Sequence, residues 1–207
     1  GSGGTTHTLT LSDTNNSIVA TTVQVGNSTK NNGSAGTLIL DSGTFTVTNV
    51  TLGAKSGSSS GTANGSLNIG GGTFTVFPGG SFILGYQTNT SSAIATLNLT
   101  GGTLNCQTDI LDGGGATTST LTLNGGTLNL FGRKLGSATN INTLNFQSGT
   151  LLNVSGINGS NPLVKTGGGT LTIGGTNTYS GGTIIGSGML LVNGSIAGGA
   201  VTVSNTA

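Results

Sequence analysis

TLILDSGTF, Thr37 to Phe45, recurs as SLNIGGGTF from Ser66, TLNLTGGTL from Thr96, TLTLNGGTL from Thr120 and TLNFQSGTL from Thr143. Looser copies are TLTIGGTNT from Thr170 and TLTLSDTNN from Thr8. Successive copies therefore start roughly 23–30 residues apart, within the range of solenoid repeats. A short alternating segment at such a period marks a solenoid, because one coil cannot cover its own apolar face and stacked neighbours share a continuous core.

Within each copy the side chains alternate, so Leu38 and Leu40 face one way and Ile39 the other. The equivalent inward pairs are Leu67 and Ile69, Leu97 and Leu99, Leu121 and Leu123, Leu144 and Phe146, and Leu171 and Ile173. Asn68, Asn98, Thr122, Asn145 and Thr172 face outward, where parallel stacking at about 4.8 Å makes a ladder of Asn and Thr. Glycine then turns a corner into a second strand, with Phe45 and Val47, Phe74 and Val76, Leu104 and Cys106, and Leu128 and Leu130 inward. A third segment follows: Val50 to Gly53, Phe82 to Gly85, Asp109 to Asp112, and Arg133 to Gly136. Its Leu52, Leu111 and Leu135 fall at one offset from their unit's start, and Pro78-Gly79-Gly80 marks the longer copy that reaches Leu84. The remaining length variation falls in the Gly/Ser/Thr/Asn-rich stretch before the next copy, which belongs on the surface. The pattern predicts an all-β, right-handed parallel β-helix, a three-sided β-solenoid of seven to eight coils of about 23–30 residues. It makes residues 1–207 one domain, with 1–7 as a flexible or edge-pairing lead-in. Leu151-Leu152-Asn153-Val154 and Pro162 break the phase, and a bulge or a change of side geometry is expected there.

Composition agrees. Of 207 residues 41 are Gly, only 4% are charged against about a quarter in ordinary domains, and there is no Glu. Good helix formers are scarce, so helices should be negligible. Five Lys and Arg against four Asp give no basic footprint for nucleic acid. The single Cys106 cannot form an internal disulfide, and no apolar run is long enough to span a membrane.

From Leu163 the chain reads LVKTGGGTLTIGGTNTYSGGTIIGSGMLLVNGS, with Lys165, Gly167, Gly169-Thr170-Leu171, Gly174, Asn177, Tyr179, Gly181, Thr183 and Leu190-Leu191-Val192. Over residues 162–203 this resembles the autotransporter-associated β-strand repeat of bacterial passenger regions and very large surface proteins. The resemblance implies a right-handed β-helix displayed outside the cell, in a family where the repeat aids transport and folding rather than catalysis. Earlier copies share the coil logic without the Lys and Asn-x-Tyr marks.

Polysaccharide-cleaving chemistry needs paired carboxylates, or a carboxylate-bound cation with a base. The acids are Asp13, Asp41, Asp109 and Asp112. Alternation puts Asp109 and Asp112 on opposite faces, and Asp109 shares its coil position with Arg133 as a surface ion pair. His7 has no second His or carboxylate beside it, and Cys106 at an inward position is an apolar filler. Gly113-Gly114-Gly115 and Gly167-Gly168-Gly169 lack the Lys-Ser/Thr of a phosphate loop. The Asn-x-Ser/Thr triplets at Asn49, Asn89 and Asn98 are what such a composition produces by chance. Thr46, Thr48 and Thr75 suggest a flat threonine array matching ice, but the later sites are Asn105, Gln107 and Asn129. No catalytic, cofactor or metal residue is assigned, and no cofactor is expected.

Neither end of the sequence carries an amphipathic cap, so the terminal coils are expected to pair with further chain or with other copies. The sequence therefore predicts a non-enzymatic, extracellular or cell-surface structural protein that stacks head to tail with itself into a fibre or stalk. The alternative is an adhesin-like passenger module that binds glycan or a host surface near its variable corner, through Tyr86, Phe77 and Phe82.

Overall fold

The computed structural model describes residues 5–29, 32–56, 61–88 and 91–204. Among them every regular element is a strand and every strand pairing is parallel. The chain is a β-solenoid. Its first side stacks Thr5–Leu11, Ser34–Leu40, Thr62–Ile69, Ser92–Leu99, the start of Thr117–Leu135 and the start of Thr143–Ile157. Leu163–Lys165, Thr183–Ile185 and Val201–Val203 continue it. Strands such as Ser17–Ser28, Thr44–Lys55 and Thr73–Gln87 run round a corner and supply the second and third sides. Residues 5–7 pair with Ser34, Ala35 and Gly36, so the described part of the expected lead-in is edge strand.

Like lies on like. Leu9, Leu38, Leu67, Leu97, Leu121 and Leu144 form one inner column. Phe45, Phe74, Leu104, Leu128 and Leu151 form another, in which the Phe45 and Phe74 rings stack at 5.0 Å and 12°. Glycine is required at the first corner. Gly72 has φ 62°, and a Cβ there would lie 2.5 Å from the Gly43 carbonyl oxygen one coil below.

Four expectations need correction. Five turns, not seven to eight, have the expected length, and they run from Thr8 to Thr143. Beyond them Phe146 pairs with Lys165, Leu163 with Thr183, and Thr183 with Val201. Each of these steps is shorter than any between the first six copies, on the order of 20 residues and at the lower limit for a solenoid coil. The third side shrinks with the coil, from Thr22–Ser28 to Thr176–Asn177 and Ser195–Ile196. The solenoid tapers.

Second, the Thr170 copy lies on the second side, where Thr172 pairs with Thr150 and Ile173 with Leu151. Leu163–Lys165 takes its expected place on the first side. Both sides have the same alternation, so local pattern cannot tell them apart.

Third, the constant offset of Leu52, Leu111 and Leu135 is a coincidence. Phe82 pairs with Ile110 and Leu84 with Asp112, one residue away from the expected alignment. A one-residue slip exchanges the faces. Asp112 therefore points inward. The matched inward residues are Val50, Phe82, Ile110 and Leu135, and each stands at a different distance from its copy's start at Thr37, Ser66, Thr96 or Thr120.

Fourth, the corner between the second and third sides is consequently elastic too, as well as the last connection. The expected break after Thr143 is present: Leu151 and Val154 are both buried, with Asn153 between them at φ 56°.

Candidate functional site

The polar chemistry of the fold is concentrated where the coil narrows. Lys165 occupies an inner column directly on Phe146 and is fully buried. A buried ammonium needs acceptors. Its Nζ donates to the Thr166, Gly167 and Ser187 carbonyls at 2.6, 2.8 and 3.1 Å, the last in the following coil. Burial lowers the Lys165 pKa from its usual 10.5.

Asn177 is also fully buried, and it bridges three layers. Its Oδ1 accepts the Val154 N–H at 3.0 Å, and its Nδ2 donates to the Gly174 and Ser195 carbonyls at 3.0 and 3.1 Å. Tyr179 completes the set, fully buried with its hydroxyl 2.7 Å from Thr183 Oγ1. Burial raises the Tyr179 pKa, and the Thr183 hydrogen bond partly offsets this. Asn177 satisfies backbone groups that the short third side leaves unladdered, Lys165 satisfies carbonyls at the corner between the first and second sides, and Tyr179 bonds a buried side-chain hydroxyl. Lys165 and Asn177 each bond neighbouring coils, so the arrangement fastens coils together.

Two further buried polar groups lie in the wide coils. The fully buried Lys55 ends Thr44–Lys55, and its Nζ donates to Ser28 Oγ and the Asn32 carbonyl, both at 3.3 Å. Sequence reading missed it, because a Lys at a strand end reads as solvated. The Asp112 carboxylate accepts from the Gly114 N–H and Thr117 Oγ1, both at 2.6 Å, and from Ser119 Oγ. Ser119 in turn receives an Asn142 N–H at 3.0 Å from the next coil.

The acids considered for catalysis do not converge. Asp109 Oδ1 accepts the Lys134 N–H at 2.9 Å, so its partner in the next coil is one residue beyond the expected Arg133. Asp112 is in the core. Cys106 is buried, donates to the Thr108 carbonyl at 3.3 Å, and has its thiol pKa pushed up from 9.0 to about 12 by burial. His7 is exposed in the first strand.

Of the aromatic trio, Phe82 is fully buried, and Phe77 and Tyr86 stand at opposite ends of the third side. They form no common concavity. The outer Thr46–Thr75–Asn105–Asn129 column has the expected register, and Asn98 Nδ2 donates to Asn68 Oδ1 at 2.9 Å in the predicted first-side ladder. A continuous threonine column, Thr44, Thr73, Thr103, Thr127 and Thr150, stacks the eighth residue of five copies, and Thr172 of the Thr170 copy continues it. Asn89 lies outside the described residues.

No curated protein and no solved structure matches the chain. Residues 163–192 match the passenger-associated-transport-repeat family. The segment that buries Lys165, Asn177 and Tyr179 is thus a repeat of that family, and with the β-solenoid around it the chain fits an autotransporter passenger-type surface protein.

Proposed function

We propose that this chain is a non-enzymatic structural segment of an extracellular or cell-surface protein, and that it stacks end to end with further copies into a fibre or stalk. The observation that carries the reading is the pair of open mouths. At the first, Leu9 is 54% exposed above a cavity of about 390 Å³ lined by Val23, Val25, Leu38 and Phe45. At the last, the inward columns end on Val192, Val201 and Val203, all exposed. Among the described residues, Thr5–Leu11 and Val201–Val203 each pair with a strand on one side only. Parallel edges of unlike ends join head to tail, and such a contact extends unless it closes.

The taper bears on how strong the joint would be. The first-side edges are seven and three residues long, and the second side stacks eight strands against nine on the first, so Ser17–Ala20 and Met189–Val192 stay one layer apart when the first-side edges pair. Each joint therefore buries less than a regular coil interface and should dissociate on dilution. The absence of enzymatic activity is supported by the separate engagements of Asp109 and Asp112. The extracellular setting rests on the transport repeat.

Electron microscopy with sedimentation tests the proposal. Filaments should appear at high concentration, with an axial repeat of roughly 43 Å for nine layers. Leu9→Lys and Val203→Lys should each abolish them. A wild-type protein that stays monomeric at high concentration overturns the assembly.

A further inference from the structure

The elastic corner between the second and third sides carries an exposed aromatic–cationic patch unrelated to the open mouths. The chain takes four steps from Asn129 to Arg133, where the next coil takes two from Leu152 to Val154. The surplus pair, Phe131 and Gly132, bulges outward. Phe131 has φ 51°, a region that a bulky residue rarely enters, and its ring is 49% exposed. The conformation is held from both sides. Asn129 Oδ1 accepts the Phe131 N–H at 3.2 Å and also the Asn153 amide at 3.0 Å, while Asn153 Oδ1 accepts the Thr176 N–H at 3.1 Å. A strained, exposed ring fixed by its neighbours is the pattern seen at binding surfaces.

Phe131 is not isolated. Val76 pairs with Cys106 and Asn105 with Asn129, so Phe77, Gln107 and Phe131 leave the second-side ladder at the same corner in three successive layers. Phe77 is also exposed, which puts two exposed rings on this corner, two layers apart, with Gln107 in the layer between. Arg133 and Lys134 come next, and both are exposed. Lys55 and Lys165, the other two described cations, are buried. Neither Arg133 nor Lys134 forms an ion pair among the described residues, and Asp109 is engaged with the Lys134 backbone.

We propose that Phe77, Gln107, Phe131, Arg133 and Lys134 form a binding platform for an acidic polysaccharide. Ring faces stack on the apolar faces of sugars, the amide meets hydroxyl groups, and the two unpaired cations select a carboxylate-bearing chain. Two layers match the scale of a disaccharide. The polar Gln107 between the rings disfavours insertion into lipid, and two cations are too few for nucleic acid.

The test uses the full chain in affinity electrophoresis with polygalacturonate, neutral dextran and polyacrylate, the last a polyanion without sugar rings. Vesicles containing phosphatidylglycerol form a fourth arm. Polygalacturonate should retard the wild type, and dextran and polyacrylate should not. Phe131→Gly relieves the backbone conformation, so it should lose retardation while its melting temperature stays equal or rises, and filament formation should be unchanged. Arg133→Gln and Lys134→Gln should each reduce the salt slope of binding by about one. Undiminished binding by Phe131→Gly, equal binding to polyacrylate, or binding to vesicles alone would each overturn the proposal.

Discussion

Coils up to Ile157 enclose two facing rows of Leu, Ile, Val and Phe on each layer, whereas those from Leu163 onward enclose fewer apolar side chains and a buried Lys, Asn and Tyr. The difference follows from circumference. A wide turn, such as the one from Thr37 to Ser66, has three laddered sides, so its backbone groups pair with the coils above and below and its interior is mostly apolar, with the buried Lys55 at the end of its third side. A narrow turn, such as the one from Leu163 to Thr183, reduces the third side to a two-residue strand. Side chains then bond the backbone groups that no ladder reaches. The wide coils hold together by burial, which is tolerant of chemistry but sensitive to volume. The narrow coils hold together by directed hydrogen bonds, which are sensitive to the loss of a single atom.

Substitutions can break this contrast. Phe74→Ala removes a fully buried ring stacked on Phe45, and should cost about 3–5 kcal/mol in chemical denaturation. Phe74→Leu should recover most of that. Asn177→Ala should cost less, about 2–3 kcal/mol, with the damage confined to the narrow end. Hydrogen exchange reads it directly: the Val154 amide, which donates to Asn177 Oδ1, should lose protection while Leu97 and Leu121 keep theirs. Global loss of protection would show that both regions unfold as one unit.

Alkali sharpens the comparison. The Cys106 thiol ionises at about 12 in the fold and near 9.0 when unfolded. Its contribution is therefore intact below pH 9 and is lost as pH rises from 9 to 12, by about 1.4 kcal/mol at pH 10. In Cys106→Ala the alkaline loss should begin only above pH 10, where the raised Tyr179 pKa acts in the same sense. Lys165 acts oppositely: its lowered pKa makes stability rise with pH up to 10.5. Thermal melts from pH 8 to 11 on both proteins check the difference. The smallest effect is expected from Asn98→Ala, about 0.5 kcal/mol, because its ladder bond to Asn68 is only partly buried.

How far the sequence could be read varies along the coil. Leu38, Leu67, Leu97 and Leu121 were legible as one column because no corner interrupts the segment that contains them. Ile110 and Asp112 were misplaced by one residue because the preceding corner absorbs a different number of residues in each coil. Phe131 went unnoticed for the same reason. Its position relative to Gln107 and Phe77 exists only once that corner is counted correctly. In the transport repeat Lys165, Asn177 and Tyr179 stood out as residue types, but the groups they bond lie up to 23 residues away in sequence.

What the sequence alone determined is the part that short-range rules govern: alternation of apolar side chains, glycine at a crowded corner, a period that demands stacking, and the absence of helix. The tertiary structure alone decided the taper, the inward turn of Asp112, the burial of Lys55 and the outward bulge of Phe131. Those depend on register between coils. A flexible corner can add or drop a residue at little cost, yet each such change reverses which side chains meet the core.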